Sequence, residues 1–124
     1  MATMADNPSS RSQTGAERRT PRRRMLLTGL LVHLDLGVSF RCAIRDRSAT
    51  GARLKMPTGA IAPNNFWLIE VTEGRACTAT TVWRTYPEVG VELAEPLDLK
   101  KPDDDVLHRR LRALWLEIAP RREG

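Results

Sequence analysis

Short runs of residues with β-strand character, separated by turn residues, fill most of the chain between residues 25 and 93. In the clearest run, Val38, Phe40, Cys42 and Ile44 alternate with small or polar residues, which is the pattern of a strand with one buried face. Five further runs of similar length lie at 30–34, 52–56, 66–71, 76–84 and 89–93. Six short, closely spaced strands predict a small antiparallel barrel or sandwich, since such folds cover the unpaired edges of a sheet.

A different pattern follows these strands. Residues 106–118 contain neither Gly nor Pro, and Pro120 comes directly after Ala119. They predict an amphipathic helix of about three turns that packs on the sheet. Two roles for the helix stay open: it only completes the core, or it also contacts a partner or a second copy of the chain in a homodimer. The apolar residues that share one predicted helical face are Leu107, Leu111, Leu114, Trp115 and Ile118.

Positive charge is concentrated near the N-terminus. The chain of 124 residues carries a net charge of +5, of which residues 1–24 contribute +4. Residues 1–16 have too few apolar side chains to join a core and are predicted to be a disordered tail. The arginine-rich segment that follows is expected to attract an anionic partner, such as a nucleotide, a nucleic acid, an anionic lipid surface or an acidic protein.

Several classes of protein are not favoured by the sequence. The N-terminal residues lack the apolar stretch of a signal peptide, and the longest apolar candidate, 25–36, is interrupted by polar residues, so a cytoplasmic location without a membrane span is expected. Cys42 and Cys77 lie in apolar segments and are predicted to be small buried residues. Known catalytic and metal-binding motifs are missing, and His33 and His108 stand alone, so neither an enzyme nor a cofactor is expected.

Two segments are candidates for ligand binding, and the first is the arginine arm at 17–24. It contains two overlapping Arg-x-x-x-Arg spacings, Arg18/Arg22 and Arg19/Arg23. Arginine forms bidentate, charge-assisted bonds with phosphate, stacks on flat π systems and bonds the edge of guanine. A guanine nucleotide offers all three features, although a solvated basic tail or a nonspecific polyanion contact also fits this segment.

The second candidate is the predicted turn Asp46-Arg47-Ser48-Ala49-Thr50-Gly51 between two strands. In a structural interpretation, Asp46 and Ser48 cap amides of the turn and Gly51 adopts a positive φ. In a functional interpretation, Asp46 accepts hydrogen bonds from guanine N–H groups, and Ser48 offers its hydroxyl to a base or a phosphate.

The order of these segments resembles the PilZ family. An Arg-x-x-x-Arg arm, a strand hairpin and an Asp-x-Ser-x-x-Gly turn follow one another, and the resemblance covers about residues 17–97. It implies a six-stranded antiparallel split β-barrel followed by a helix, and it implies binding of the bacterial second messenger cyclic di-GMP without catalysis. We therefore divide the chain into a tail (1–16), a PilZ-like barrel domain that includes the arginine arm (17–97) and a C-terminal helix with its tail (98–124). Further segments that resemble the family are Ala52-Arg53-Leu54, Val82-Trp83-Arg84 and Gly90-Val91-Glu92-Leu93.

The resemblance also implies a set of ligand-binding residues. Overlapping spacings leave the arginine pair undecided; Arg18 with Arg22 is favoured, and Arg23 is a third contact. Arg47 and Arg53 either add positive field or are solvated side chains. The complete set implied by the resemblance is Arg18, Arg19, Arg22, Arg23, Asp46, Ser48 and Gly51.

Signal transmission is expected to follow from ligand binding. The arm would fold over the barrel and change the surface that an unidentified downstream protein contacts. Two alternatives remain: a PilZ-like module that contacts proteins without binding nucleotide, and a basic nucleic-acid-binding barrel. The second alternative is weakened by the nearly neutral barrel and by an aromatic content of 5%, which leaves few side chains for base stacking.

Overall fold

The structure is a computed structural model that describes residues 27–119, and these residues form seven β-strands and one α-helix. The predicted disordered tail and the arginine arm lie outside the described residues. The strands are β1 Leu27–His33, β2 Ser39–Arg47, β3 Gly51–Lys55, β4 Asn65–Glu70, β5 Arg75–Thr85, β6 Glu88–Leu93 and β7 Leu97–Asp98, and the helix is α1 Val106–Ile118.

Strands β1 to β6 form a closed antiparallel barrel in the order β4-β1-β2-β3-β6-β5, with β5 paired back to β4. The predicted barrel, rather than a sandwich, is therefore the fold. The six predicted strands are confirmed, and their predicted first and last residues differ from the observed ones by no more than three positions. The sequence pattern missed β7, a two-residue strand that pairs with the start of β5. Its shortness explains the omission, because two residues carry no periodicity.

The barrel interior is filled by side chains that alternate along each strand. Cys42 and Ile44 of β2 point inward, as the alternation predicted, and Phe66 on β4 is the largest fully buried side chain. Cys42 and Cys77 are both buried and free, which confirms the prediction for them, and burial raises the pKa of the Cys42 thiol to about 12. The remaining buried members of this core are Leu31, Leu54, Met56, Ala62, Leu68, Ala79, Val89, Val91 and Leu93.

A second core lies outside the barrel, between α1 and the strands β1, β4 and β5. Leu30 and Val32 face this outer core, while Leu31 between them faces the barrel interior. Strand β1 is thus buried on both faces, which explains why its sequence is a continuous apolar run rather than an alternation. Opposite them, Leu111 of α1 is fully buried.

Helix α1 has the predicted bounds, but its buried stripe differs from the predicted one. Asp105 is the N-cap and accepts a hydrogen bond from the His108 backbone N–H at 2.9 Å. Leu107 is exposed, and the buried side chain in the first turn is that of His108, whose Nε2 lies 3.0 Å from the Lys101 carbonyl oxygen. The prediction for Leu107 was wrong because His108, whose ring contacts the Lys101 carbonyl oxygen, occupies the buried position one turn before Leu111. Within residues 27–119, no helix is long and apolar enough to cross a bilayer.

Candidate ligand-binding site

The predicted turn lies at the end of the barrel where the described chain begins. Leu27, the first residue of β1, is the register partner of Ile44, two residues before Asp46. The β2–β3 turn is fixed to β6 at this end, because the Leu93 N–H donates to the Thr50 carbonyl oxygen at 2.8 Å. The start of β1 and the turn that joins β2 to β3 are therefore neighbours.

A β-bulge in β2 determines which side chains of the turn face outward. Ile44 pairs with Leu54 and Asp46 pairs with Arg53, so Arg45 is an extra residue in β2. After this bulge Asp46 faces the outside of the barrel and Arg47 reaches inward to Glu70. A bulge re-aims the residues that follow it, and bulges are common beside functional sites.

Asp46 presents a carboxylate on the outer surface, with a side-chain exposure of 53%. Its Oδ2 accepts a hydrogen bond from Arg53 Nε at 2.8 Å and forms an ion pair with Arg53 Nη2 at 2.7 Å, and Arg53 Nη1 also donates to Glu88 at 2.9 Å. Hydrogen bonds with Asp46 and then Glu88 raise the pKa of Arg53. Arg53 is therefore neutralised by two carboxylates. Among residues 27–119, nothing donates a hydrogen bond to Asp46 Oδ1, which leaves that oxygen as an available acceptor.

Ser48 closes the turn. Its backbone N–H donates to the Gly51 carbonyl oxygen at 2.9 Å, and its Oγ accepts from the Gly51 N–H at 3.1 Å. The structural interpretation of Ser48 as a cap of a turn amide is thereby confirmed, whereas Asp46 pairs with Arg53 instead of capping. The hydroxyl keeps acceptor capacity, because a Ser oxygen has two lone pairs.

The expected positive φ at Gly51 is wrong. Within residues 27–119 the glycines with positive φ are Gly59 and Gly74. Gly51 begins β3, and a Cβ added there would lie 2.9 Å from the backbone oxygen of Val91 on β6. Glycine is required at this position by the close approach of a neighbouring strand, rather than by its own backbone conformation.

A buried ion cluster lies inside the barrel beneath the turn, and the sequence pattern did not reveal it. Glu70 at the end of β4 is only 4% exposed and accepts hydrogen bonds from Arg47 and Arg75. Burial by itself would raise the pKa of Glu70, but the bonds from Arg47 and Arg75 outweigh it, so that the pKa is lowered. Arg47 is thus neither solvated nor a source of free positive field. The contact between residues 23 positions apart leaves no local signal in the sequence.

Register partners across four strands form an outer row beside the turn. Asp46 pairs with Arg53, Arg53 with Gly90, and Gly90 with Trp83. The Trp83 indole lies directly over Gly90, where a larger side chain would collide with it. Residues of four segments singled out in the sequence, which are the predicted turn and the segments 52–54, 82–84 and 90–93, meet in this row.

Three of the seven predicted site residues, Asp46, Ser48 and Gly51, are described, and they lie together at the turn. The four predicted arginines, Arg18, Arg19, Arg22 and Arg23, lie outside the described residues. Within residues 27–119 no group of three His, Cys, Asp or Glu side chains is arranged to hold a metal ion. A comparison of the chain with protein-family models and with curated proteins finds no match. The residues and the geometry of the turn are therefore the basis for a functional proposal.

Proposed function

We propose that this chain is a receptor domain for cyclic di-GMP, which binds between the arginine arm and the β2–β3 turn. The observation that carries the proposal is the exposed Asp46 carboxylate beside a turn held by Ser48 and Gly51, at the barrel end where Leu27 joins the arginine-rich segment. The six-stranded barrel followed by a helix also supports it, since this is the fold that the PilZ resemblance implies.

The chemistry of the ligand matches the groups at this end of the barrel. The Watson–Crick edge of guanine carries N–H donors, and Asp46 Oδ1 is an acceptor without a donor among residues 27–119. The Ser48 Oγ is a further polar group at the same turn. The two phosphates of the ligand require cations, and guanidinium groups meet them with bidentate bonds.

Covalent geometry limits where the arginines lie relative to the turn. An extended chain spans at most about 3.6 Å per residue, so the Arg22 Cα is within about 18 Å of the Leu27 Cα, and the Arg18 Cα is within about 32 Å. Leu27 is itself paired beside Ile44, close to Asp46. The length of the connecting segment therefore allows every candidate arginine to reach the turn, and the choice between Arg18/Arg22 and Arg19/Arg23 remains open.

Folding of the arm over the turn would provide the output signal. Ordering each residue costs about 1–2 kcal/mol, and charge-assisted hydrogen bonds of about 1.5–3 kcal/mol each offset that cost. The new surface would contact a downstream protein. A partner or a second copy of the chain has exposed apolar side chains of α1 available, which are those of Val106, Leu107 and Leu116.

Isothermal titration calorimetry of the 124-residue chain with cyclic di-GMP tests the proposal. We expect binding by the wild type and its loss in Asp46→Ala and in Arg22→Ala, because each variant removes a charged contact to the ligand. Asp46→Ala should remain folded, since an exposed ion pair contributes only about 0–1 kcal/mol. Asp104→Ala and Arg109→Ala are matched controls, which change the same charges at exposed positions outside the barrel and should retain affinity.

The outcomes separate the alternatives. Binding by the wild type with unchanged affinity in both site variants would contradict the assigned site. A wild type that shows no heat with cyclic di-GMP would favour the interaction module that binds no nucleotide. Displacement of the ligand by single-stranded DNA, with an affinity that falls steeply as salt is added, would favour the nucleic-acid-binding barrel.

A further inference from the structure

The buried cluster at the barrel end has a geometry that joins it to the candidate turn. Both oxygens of Glu70 are used: Arg47 donates from Nε to Oε1 at 3.0 Å and from Nη2 to Oε2 at 3.2 Å. Arg75 donates to the same two oxygens at 3.0 and 3.3 Å. A buried carboxylate is costly unless it is paired and hydrogen-bonded, and the two guanidinium groups satisfy this requirement together.

Arg47 and Arg75 differ in one respect. The third nitrogen of Arg47, Nη1, donates to the backbone carbonyl oxygen of Ser48, whereas within residues 27–119 Arg75 donates no hydrogen bond to the turn. A single guanidinium therefore bridges the buried carboxylate of β4 and the backbone of the turn. Because a guanidinium is planar and rigid, fixing two of its nitrogens on Glu70 also fixes the direction of the third.

We propose that Glu70 is a positioning residue for the ligand-binding turn, and that it acts through Arg47 without touching the ligand. Glu70 binds the Arg47 guanidinium inside this end of the barrel, and Arg47 in turn binds the Ser48 carbonyl oxygen. These two contacts keep Asp46 and the Ser48 hydroxyl in the positions of a preformed site. Glu70 also prevents Arg47 from turning outward to the ligand phosphates. The inference deepens the proposed function and rests on it for the identity of the ligand.

The matched pair Arg47→Gln and Arg75→Gln separates positioning from simple stabilisation of the barrel. Each variant removes one cation from Glu70, but only Arg47→Gln also removes the bond to Ser48. We expect Arg47→Gln and Glu70→Gln to weaken binding of cyclic di-GMP by about tenfold or more, the loss that corresponds to one charge-assisted hydrogen bond. Arg75→Gln should change the affinity by less than about threefold. Titrations are made at a temperature at which each variant remains folded by circular dichroism.

Amide hydrogen exchange supplies a measurement that needs no ligand. The Ser48 N–H, bonded to Gly51, reports on the turn, and the His33 N–H, bonded to Val38 at the opposite end of the barrel, is the internal reference. In Glu70→Gln and Arg47→Gln, we expect the exchange rate of the Ser48 N–H to rise above its wild-type value while that of the His33 N–H does not, because these variants release the turn locally. In Arg75→Gln, neither rate should rise.

Failure of the inference differs from failure of the proposed function. If the wild type binds cyclic di-GMP while Glu70→Gln keeps both its affinity and its Ser48 exchange rate, the positioning role is overturned. Higher affinity in Glu70→Gln would also overturn it, because that result would mean that a released Arg47 contacts the ligand directly. If the wild type does not bind but the exchange at Ser48 still responds to Glu70→Gln, the proposed ligand is wrong and the control of the turn by Glu70 stands.

Discussion

Replacement of Gly51 by alanine is the most direct test of how the turn is held against the barrel. The added methyl carbon would lie 2.9 Å from the Val91 backbone oxygen and 3.7 Å from the Ser48 Oγ. The first distance is too short for a carbon and an oxygen that are not bonded, and the partner is sheet backbone, which cannot rotate away as a side chain can. Strand β3 must therefore move away from β6, at the residues that close the turn.

The magnitude follows from two opposing terms. Overpacking of this kind costs about 1–3 kcal/mol, while the loss of glycine flexibility in the unfolded chain returns about 0.4–1 kcal/mol. A net loss of about 1–2 kcal/mol is expected, which lowers Tm by about 4–16 °C in a domain of this size. Thermal and urea unfolding followed by circular dichroism measure both quantities.

Gly37→Ala is the matched control for this substitution. Its added methyl group would meet only the exposed Asp35 side chain, at 3.2 Å. The Asp35 Oδ1 accepts from the Gly37 N–H at 2.8 Å, and a small shift of this exposed side chain relieves the contact. We expect the control to stay within about 0.5 kcal/mol of the wild type, as most surface substitutions do. A Gly51→Ala protein as stable as Gly37→Ala would refute the close approach of β3 and β6 as the reason for glycine.

Two further predictions concern the cores and the ion cluster. Leu111→Ala should lower the free energy of unfolding, measured by urea titration, by about 2–5 kcal/mol because Leu111 is fully buried. Leu116→Ala, on the exposed side of α1, should change it by less than about 0.5 kcal/mol. Equal losses in the two variants would contradict the packing of α1 on the barrel. The pKa of Glu70 is lower in the folded protein than its ordinary value of 4.5, so its contribution to stability is present above that pH and is lost as the pH falls below it through the folded pKa. Acid titrations of stability should therefore be less steep below pH 4.5 for Glu70→Gln than for the wild type or for Glu117→Gln, and an unchanged slope would contradict the pairing of Glu70 with Arg47 and Arg75.

Local patterns predicted most of the elements because each pattern is a property of neighbouring residues. The alternation of Phe40, Cys42 and Ile44 identified β2 and its inward face, and the absence of Gly and Pro identified the bounds of α1. The prediction for Val38 was wrong, because Val38 precedes the first residue of β2 and its side chain is exposed. The prediction for Leu107 failed for a tertiary reason, because the buried position in the first turn of α1 belongs to His108, which has a backbone partner at Lys101.

At the candidate site, the sequence identified the residue types and the structure shows which groups each residue contacts. Asp46, Ser48 and Gly51 were selected from a short motif, and they lie together at one turn. Glu70 was missed, since a single glutamate at the end of an apolar strand is ordinarily a solvated residue. Its burial becomes intelligible only with Arg47 and Arg75 beside it.

The sequence by itself determined six strands, a terminal helix and the turn that joins β2 to β3, because periodicity and turn residues act over a few neighbouring positions. The strand pattern left a barrel or a sandwich open, and the barrel that the PilZ resemblance implied is the one the structure shows. Only the tertiary structure decided that the bulge at Arg45 sends Asp46 outward and Arg47 inward, and that Gly51 is required by Val91. Each of these depends on contacts between strands that are distant in sequence. Such contacts exist only once the barrel has closed and brought the strands within a few ångströms of one another.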